Sequence, residues 1–230
     1  MEVMKKYILI FTLFFVCFSS NLAFAKDNDV EQETKELAKI QLILEKAVIT
    51  INNIANKIIE QQNFRNSMDK RIVNKLVPWG HDKMYSEERK IDTIVVHSVY
   101  DALGQNPYDA DGVMYEFAVY DVCSHYLISR EGIIYRMVKD NDLAWHAGRS
   151  QLFDGRTSVN KFSIGIELIQ HEKEEANDIQ YKTLVDLIKY LQLDYDIKNI
   201  TGHTNVSLTK KTDPWNFDWK KFNTVFDSQN

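Results

Sequence analysis

The chain has 230 residues and a formal net charge of −5, with 28 Lys and Arg against 33 Asp and Glu. A net acidic chain without basic runs offers no surface for nucleic acid or for an anionic membrane. Its length suits one domain with a sizeable core plus an extension.

In chain order, residues 1–25 read as a signal peptide. Lys5 and Lys6 form a positive head, residues 7–18 an apolar core, and Ala23-Phe24-Ala25 a small-x-small cleavage site. That core is too short to span ~30 Å of hydrocarbon, and Ser19, Ser20 and Asn21 interrupt it. The expectation is an exported protein, periplasmic or extracellular, and not an integral membrane protein after signal cleavage. Cys17 raises a lipidation site as an alternative, but Phe14, Phe15 and Val16 before it are not small. Cleavage would leave Cys123 as the remaining cysteine, so no intramolecular disulfide is expected and Cys123 reads as a buried small apolar residue.

Residues 26–77 read as a helical extension. Leu37, Ile40, Leu44, Ala47, Ile51, Ile54 and Ile58 repeat at alternating steps of three and four, a seven-residue period over three heptads. Gln61 and Arg65 then weaken the seam, which Met68 and Ile72 could resume. The pattern suits a helix docked on the following domain, self-association as a short coiled coil through residues 37–58, or contact with an outside partner. Pro78-Trp79-Gly80 punctuates the chain and marks the boundary of a domain over residues 78–230.

In that domain the periods alternate. Residues 91–96 form a near-continuous apolar run, as in a strand covered on both faces. Residues 99–112, with Gly104, Pro107 and Gly112, read as a loop or lid beside His97. Residues 124–129 and 132–138 read as strands joined by a tight turn at Arg130-Glu131-Gly132. Residues 162–169 read as another strand, and 197–203 as a short one. Between those two, residues 178–193 carry Ile179, Leu184, Leu187, Ile188 and Leu191 as a helix stripe. The expected fold is α/β, a mixed central β-sheet flanked by helices.

The chemistry gathers in a few places. His97 ends an apolar strand, while His203, Lys211 and Asp213 fall within a dozen positions of one another. Two imidazoles and a carboxylate suit a borderline-soft divalent metal, and three protein ligands leave a fourth position open. In Ser163-Ile164-Gly165-Ile166-Glu167-Leu168 the alternation sends Ile164, Ile166 and Leu168 to the core. Ser163, Gly165 and Glu167 then share the other face, where two small residues leave an open groove with one acid at its floor. His125 reads as structural, while His81 and His171 read as surface residues.

Together, His97, the stretch from Ser124 to Tyr135, Ala144-Trp145-His146-Ala147-Gly148, the strand ending in Glu167, and Gly202-His203 through Asp213-Pro214 resemble the type 2 N-acetylmuramoyl-L-alanine amidase family, which includes the peptidoglycan recognition proteins. The resemblance covers about residues 90–225 and says nothing of residues 26–77. It implies hydrolysis of the amide between N-acetylmuramic acid and L-alanine of the peptidoglycan stem peptide, with peptidoglycan or muropeptides as partner. It implies one Zn2+ held by His97, His203 and Asp213, catalysis by Glu167 and Lys211, and a substrate groove lined by Trp145 and His146. The residue chemistry agrees: a carboxylate can shuttle the proton and an ammonium can face an oxyanion. The family's usual second His or Asn after the first ligand is Ser98 here, and the Pro-Gly often found before Lys-Thr-Asp is absent. A muropeptide-binding protein of the same fold, without catalysis, is the alternative. A zinc peptidase of another family would need a His-Glu-x-x-His helix, which the chain lacks.

Overall fold

The computed structural model describes residues 28–84 and 89–229, so the expected signal peptide lies outside the described residues. The chain divides into two compact units, one up to Ile59 and the other Glu60–Asn230. Helix α1 (Asn28–Arg71) supplies the described part of the first unit and begins the second. In the first unit the seam residues Leu37, Ile40, Leu44, Ile51, Ile54 and Ile58 are all exposed. Lys35–Glu31 and Lys39–Glu36 pair along this part of the helix at 2.7 Å, contacts that add only tenths of a kcal/mol each.

The second unit is built on a six-stranded sheet. Its strands are β1 (Ile72–Asn74), β3 (Thr93–Val99), β4 (Tyr126–Ile128), β5 (Ile134–Arg136), β7 (Ser163–Ile169) and β8 (Asn199–Gly202). They lie in the order β1-β5-β4-β7-β3-β8. The β4–β5 pair is antiparallel and the other four pairs are parallel, so the sheet is mixed, with helices against it. Two-residue strands β2 (His81–Asp82) and β6 (Leu143–Ala144) pair separately.

Strand alternation separates two layers. Ile94, Val96, Tyr126, Ile128, Ile164, Ile166 and Leu168 face one side. They pack there with Leu184, Leu187 and Ile188 of α3 (Asp178–Leu191) and Phe222 of α5 (Trp219–Asp227). Full burial of each such aliphatic side chain stabilises by ~1.5–3 kcal/mol. Asn177 caps α3 reciprocally with Gln180, a capping box that satisfies two orphan amides. The opposite side carries Leu127 and Ile169, covered by Val113, Met114 and Phe117 of α2 (Ala110–Tyr120).

Three expectations are corrected. The helix does not run to residue 77: it stops at Arg71, and Ile72–Asn74 pairs with β5 as an edge strand. Met68 and Ile72, which the heptad count could enlist in the seam, instead lie in the core beneath the sheet. Arg65 binds Asp194 through two hydrogen bonds, and Arg71 binds Asp186 at 2.7 Å, so the last three turns belong to the second unit. The second correction concerns residues 99–112. Their loop gives way at Ala110 to α2, capped by Asp109 and stopped by Asp121 in a left-handed conformation. Ile179, assigned to the buried stripe of α3, is exposed.

Candidate active site

Register brings the site together. His97 on β3 is the cross-strand partner of Glu167 on β7, and both point to the side away from α3. Val96 partners Gly202 on β8, so His203, the next residue, stands level with His97 where the strand passes into the short helix α4 (His203–Val206). The loop after α4 returns over the strand ends, fastened by Thr204 N–H donating to the Asp213 carbonyl at 2.8 Å. A Cβ at Gly202 would sit 2.7 Å from Pro214 Cδ, so glycine lets the loop carrying Asp213 close down on the sheet.

His97 Nδ1 lies 3.1 Å from Asp213 Oδ2, and His203 Nδ1 lies 3.1 Å from both Asp213 oxygens. One donor atom from each of the three residues lies within 4.8 Å of the others, and all three residues are buried. Burial holds the His97 imidazole neutral, its pKa down to about 4. Burial alone would raise the Asp213 carboxyl, but the His203 and His97 imidazoles beside it hold it well below the usual carboxylate range. Two imidazole nitrogens converging on an ionised carboxylate fit a divalent ion of zinc type.

Glu167 stands beside this set, its Oε1 4.0 Å from His97 Nδ1. Burial raises its carboxyl to about 8, the Asp213 charge adds to the rise, and a hydrogen bond from Ser124 Oγ at 2.9 Å opposes it. Lys211 is exposed and lines the same cleft of about 330 Å³ as Glu167, His97, His203 and Asp213. Trp145 and Trp215 also border the cleft. Trp145 is pinned by its indole N–H donating to Asp82 and its backbone N–H donating to the Gly80 carbonyl.

His146 behaves differently from its expected partner Trp145. It borders the cleft, but it is buried and both ring nitrogens are engaged, Nδ1 with His97 Nε2 and Nε2 with Ser163 Oγ, each at 3.1 Å. The groove expected over Ser163 and Gly165 is therefore filled: a Cβ at Gly165 would fall 2.5 Å from the His146 ring. Cys123 is buried, its thiol pushed up to about 12 by desolvation.

Sequence reasoning did not single out Ser124 or Arg89. The guanidinium of Arg89 is buried and donates to the carbonyls of Asp140, Asp142, Asn160 and Ser163. It thereby ties two loops to the start of β7. His125 lies beside it, with Nδ1 accepting from the Gly165 backbone N–H and Nε2 near the Asp142 carbonyl at 3.1 Å. For Ser124 the legible signal was its place just before a strand that pairs with β7. For Arg89 there was none, because its partners are backbone carbonyls and the ring of His125, all distant in the chain.

A buried His/His/Asp set beside a carboxylate suits hydrolytic chemistry, and comparison with known proteins gives the class, an amide hydrolase. The N-acetylmuramoyl-L-alanine amidase family matches residues 87–216, more than half of the chain. The 1,6-anhydro-N-acetylmuramyl-L-alanine amidase AmpD of Salmonella typhimurium is 34% identical over 165 residues, 65% of this chain and 88% of that protein. A crystal structure of a selenomethionine derivative of AmpD superposes with a TM-score of 0.56 at 31% identity, covering 67% of this chain and 94% of that one. AmiD of Escherichia coli, solved with its substrate anhydro-N-acetylmuramic acid-L-Ala-D-γ-Glu-L-Lys, gives a TM-score of 0.52 at 26% identity, covering 62% and 60%. The chain belongs to the type 2 N-acetylmuramoyl-L-alanine amidase family. It is an enzyme of that activity, acting on peptidoglycan or muropeptides.

Proposed function

We propose that this amidase is an exported, zinc-dependent enzyme that frees the stem peptide from N-acetylmuramic acid, with muropeptides, including those carrying 1,6-anhydro-muramic acid, among its substrates. The observation that carries this reading is the convergence of His97, His203 and Asp213 beside Glu167 and Lys211 in one cleft. The named substrates of AmpD and AmiD support the anhydro-muropeptide class.

Bound zinc supplies Lewis-acid polarisation of the amide carbonyl and acidification of the attacking water. His97, His203 and Asp213 hold it. Glu167, oriented by Ser124, takes a proton from the water and returns it to the leaving alanine nitrogen. The Lys211 ammonium faces the carbonyl oxygen and stabilises its developing charge. Trp145 and Trp215 supply aromatic walls for sugar or peptide.

Export rests on the residues 1–25 pattern of positive head, apolar core and cleavage site. The exposed seam over residues 37–58 is a surface for self-association. Incubation with defined muropeptides tests the substrate assignment. Mass analysis is expected to find a free stem peptide with an unmodified N-terminal alanine, and release of any other fragment overturns it.

A further inference from the structure

Helix α1 leaves more apolar surface bare than one chain has use for. Leu37, Ile40, Ile43, Leu44, Val48, Ile51, Ile54 and Ile58 each stay 41–65% exposed. Together they leave on the order of 800 Å² uncovered, as much as each partner gives to a stable interface and more than the ~300–600 Å² patch of an ordinary monomer. In the seven-residue repeat lettered a to g, Leu37, Leu44, Ile51 and Ile58 fall at a, and Ile40, Ala47 and Ile54 at d. Ile43 at g, with Val48 and Ala55 at e, widens the stripe, and between Glu36 and Lys57 no e or g position carries a charge. Leu42 and Ile49, at the outward f position, stand apart from it, and isolated exposed apolar residues are ordinary. Residues 28–59 hold four Lys against five Asp and Glu, so no excess of positive charge draws this face to an anionic bilayer. A second copy of the helix, with the same uncharged stripe, covers it without burying a charge.

We propose that the stripe over residues 37–58 closes on copies of the same chain as a bundle of three or four helices, and not as a pair. This rests on the self-association read from the same seam and fixes its number of strands. The d position of a two-stranded coil takes Leu, with Ile or Val at a. Here Leu37 and Leu44 hold a in the first two heptads, while Ile40 and Ile54, branched at Cβ and stiff at χ1, hold d. Leu at a with Ile at d, and Ile at both, are the patterns that shift preference to three or four strands. The flanks agree. A pair of helices would leave Ile43 and Val48 at its wet margin, whereas each further helix covers more of the e and g positions. Such a bundle brings three or four catalytic domains to one stretch of peptidoglycan, where engagement of one raises the effective concentration of the others.

Sedimentation equilibrium of the exported chain, residues 26–230, measures the number. A mass three or four times that of one chain is expected. A dimer overturns the proposal but leaves self-association standing, and a monomer overturns both. A rearranged seam separates this packing from indiscriminate clustering of apolar side chains. Leu37→Ile, Ile40→Leu, Leu44→Ile and Ile54→Leu together put Ile at every a and Leu at d on either side of Ala47, with composition unchanged. That variant is expected to fall to a dimer, and an unchanged mass contradicts the role given to the seam. Ile51→Asp, which sets a charge in the stripe, is expected to be monomeric, with turnover of a soluble muropeptide per chain unchanged. In the Glu167→Ala background, where the wall is not consumed, it is expected to bind insoluble peptidoglycan at least about ten-fold more weakly than the assembled chain. Equal binding by the monomer contradicts the gathering of sites.

Discussion

His97 and Glu167 are register partners on adjacent parallel strands, which holds the Glu167 carboxyl oxygen 4.0 Å from the imidazole nitrogen that faces Asp213. No loop has to close to bring acid and imidazole together. Sheet hydrogen bonding sets their separation, and Ser124 sets the carboxyl's rotation.

From this pairing, Glu167→Ala is expected to lower kcat by roughly 10²- to 10⁴-fold, the range ascribed to a positioned general base. Zinc content should be unchanged, because the ligand set is untouched. Ser124→Ala should cost on the order of ten-fold through loss of one hydrogen bond to the carboxyl. Turnover of a defined muropeptide with parallel elemental analysis reads both effects. Normal kcat in Glu167→Ala removes that residue from the mechanism.

Arg89→Met is expected to destabilise the fold by about 3 kcal/mol or more, since a buried charge-assisted bond contributes ~1.5–3 kcal/mol and several carbonyls lose their donor at once. Urea unfolding of the two proteins measures the difference. A loss below about 1 kcal/mol would mean that water replaces the guanidinium without cost.

The pH dependence of stability follows from His125. Burial, with the nearby Arg89 charge second, lowers its pKa from 6.5 to about 3. Above pH 6.5 the ring is neutral in folded and unfolded chains alike, and its contribution is fully present. Below that the unfolded chain takes up a proton that the folded chain refuses. Stability should therefore fall by up to about 1.4 kcal/mol per pH unit as pH drops toward the folded value. His146, also lowered by burial, acts in the same direction. Glu167, raised to about 8, acts in the opposite direction until pH falls to 4.5, so urea unfolding of the metal-free enzyme below pH 4.5 checks the sign, and a flat profile there contradicts it.

The two parts of α1 should respond differently to mutation. Met68→Ala empties a fully buried core position and is expected to cost ~2–5 kcal/mol. Leu44→Ala, on the exposed seam, should leave the unfolding of Glu60–Asn230 within about 0.5 kcal/mol and change only self-association. Unfolding curves and sedimentation of the two variants separate these outcomes. A large loss of domain stability from Leu44→Ala would refute the division.

Strands β3 and β7 were legible because an apolar run and a strict alternation each determine which side chains share a face. That was enough to put His97 and Glu167 on strands of one sheet, while their being neighbours came only from the pairing of β3 with β7. Helix α2 was not legible: Gly112 interrupts its first turn, and its run of Val, Met, Phe, Ala and Val has no clear helical stripe. The strand Ile72–Asn74 follows α1 without a loop, and only pairing with β5 distinguishes it from one more helical turn. His146 looked like a groove residue because its neighbours match a motif. That its ring fills the slot over Gly165 depends on a contact spanning the loop to β7, which no local pattern encodes.

The metal content of the purified enzyme bears most directly on the whole account. Elemental analysis of protein prepared without added metal is expected to give one zinc per chain for the wild type and a small fraction of that for Asp213→Ala. Wild-type enzyme that cleaves muropeptide at full rate with no stoichiometric metal would contradict it.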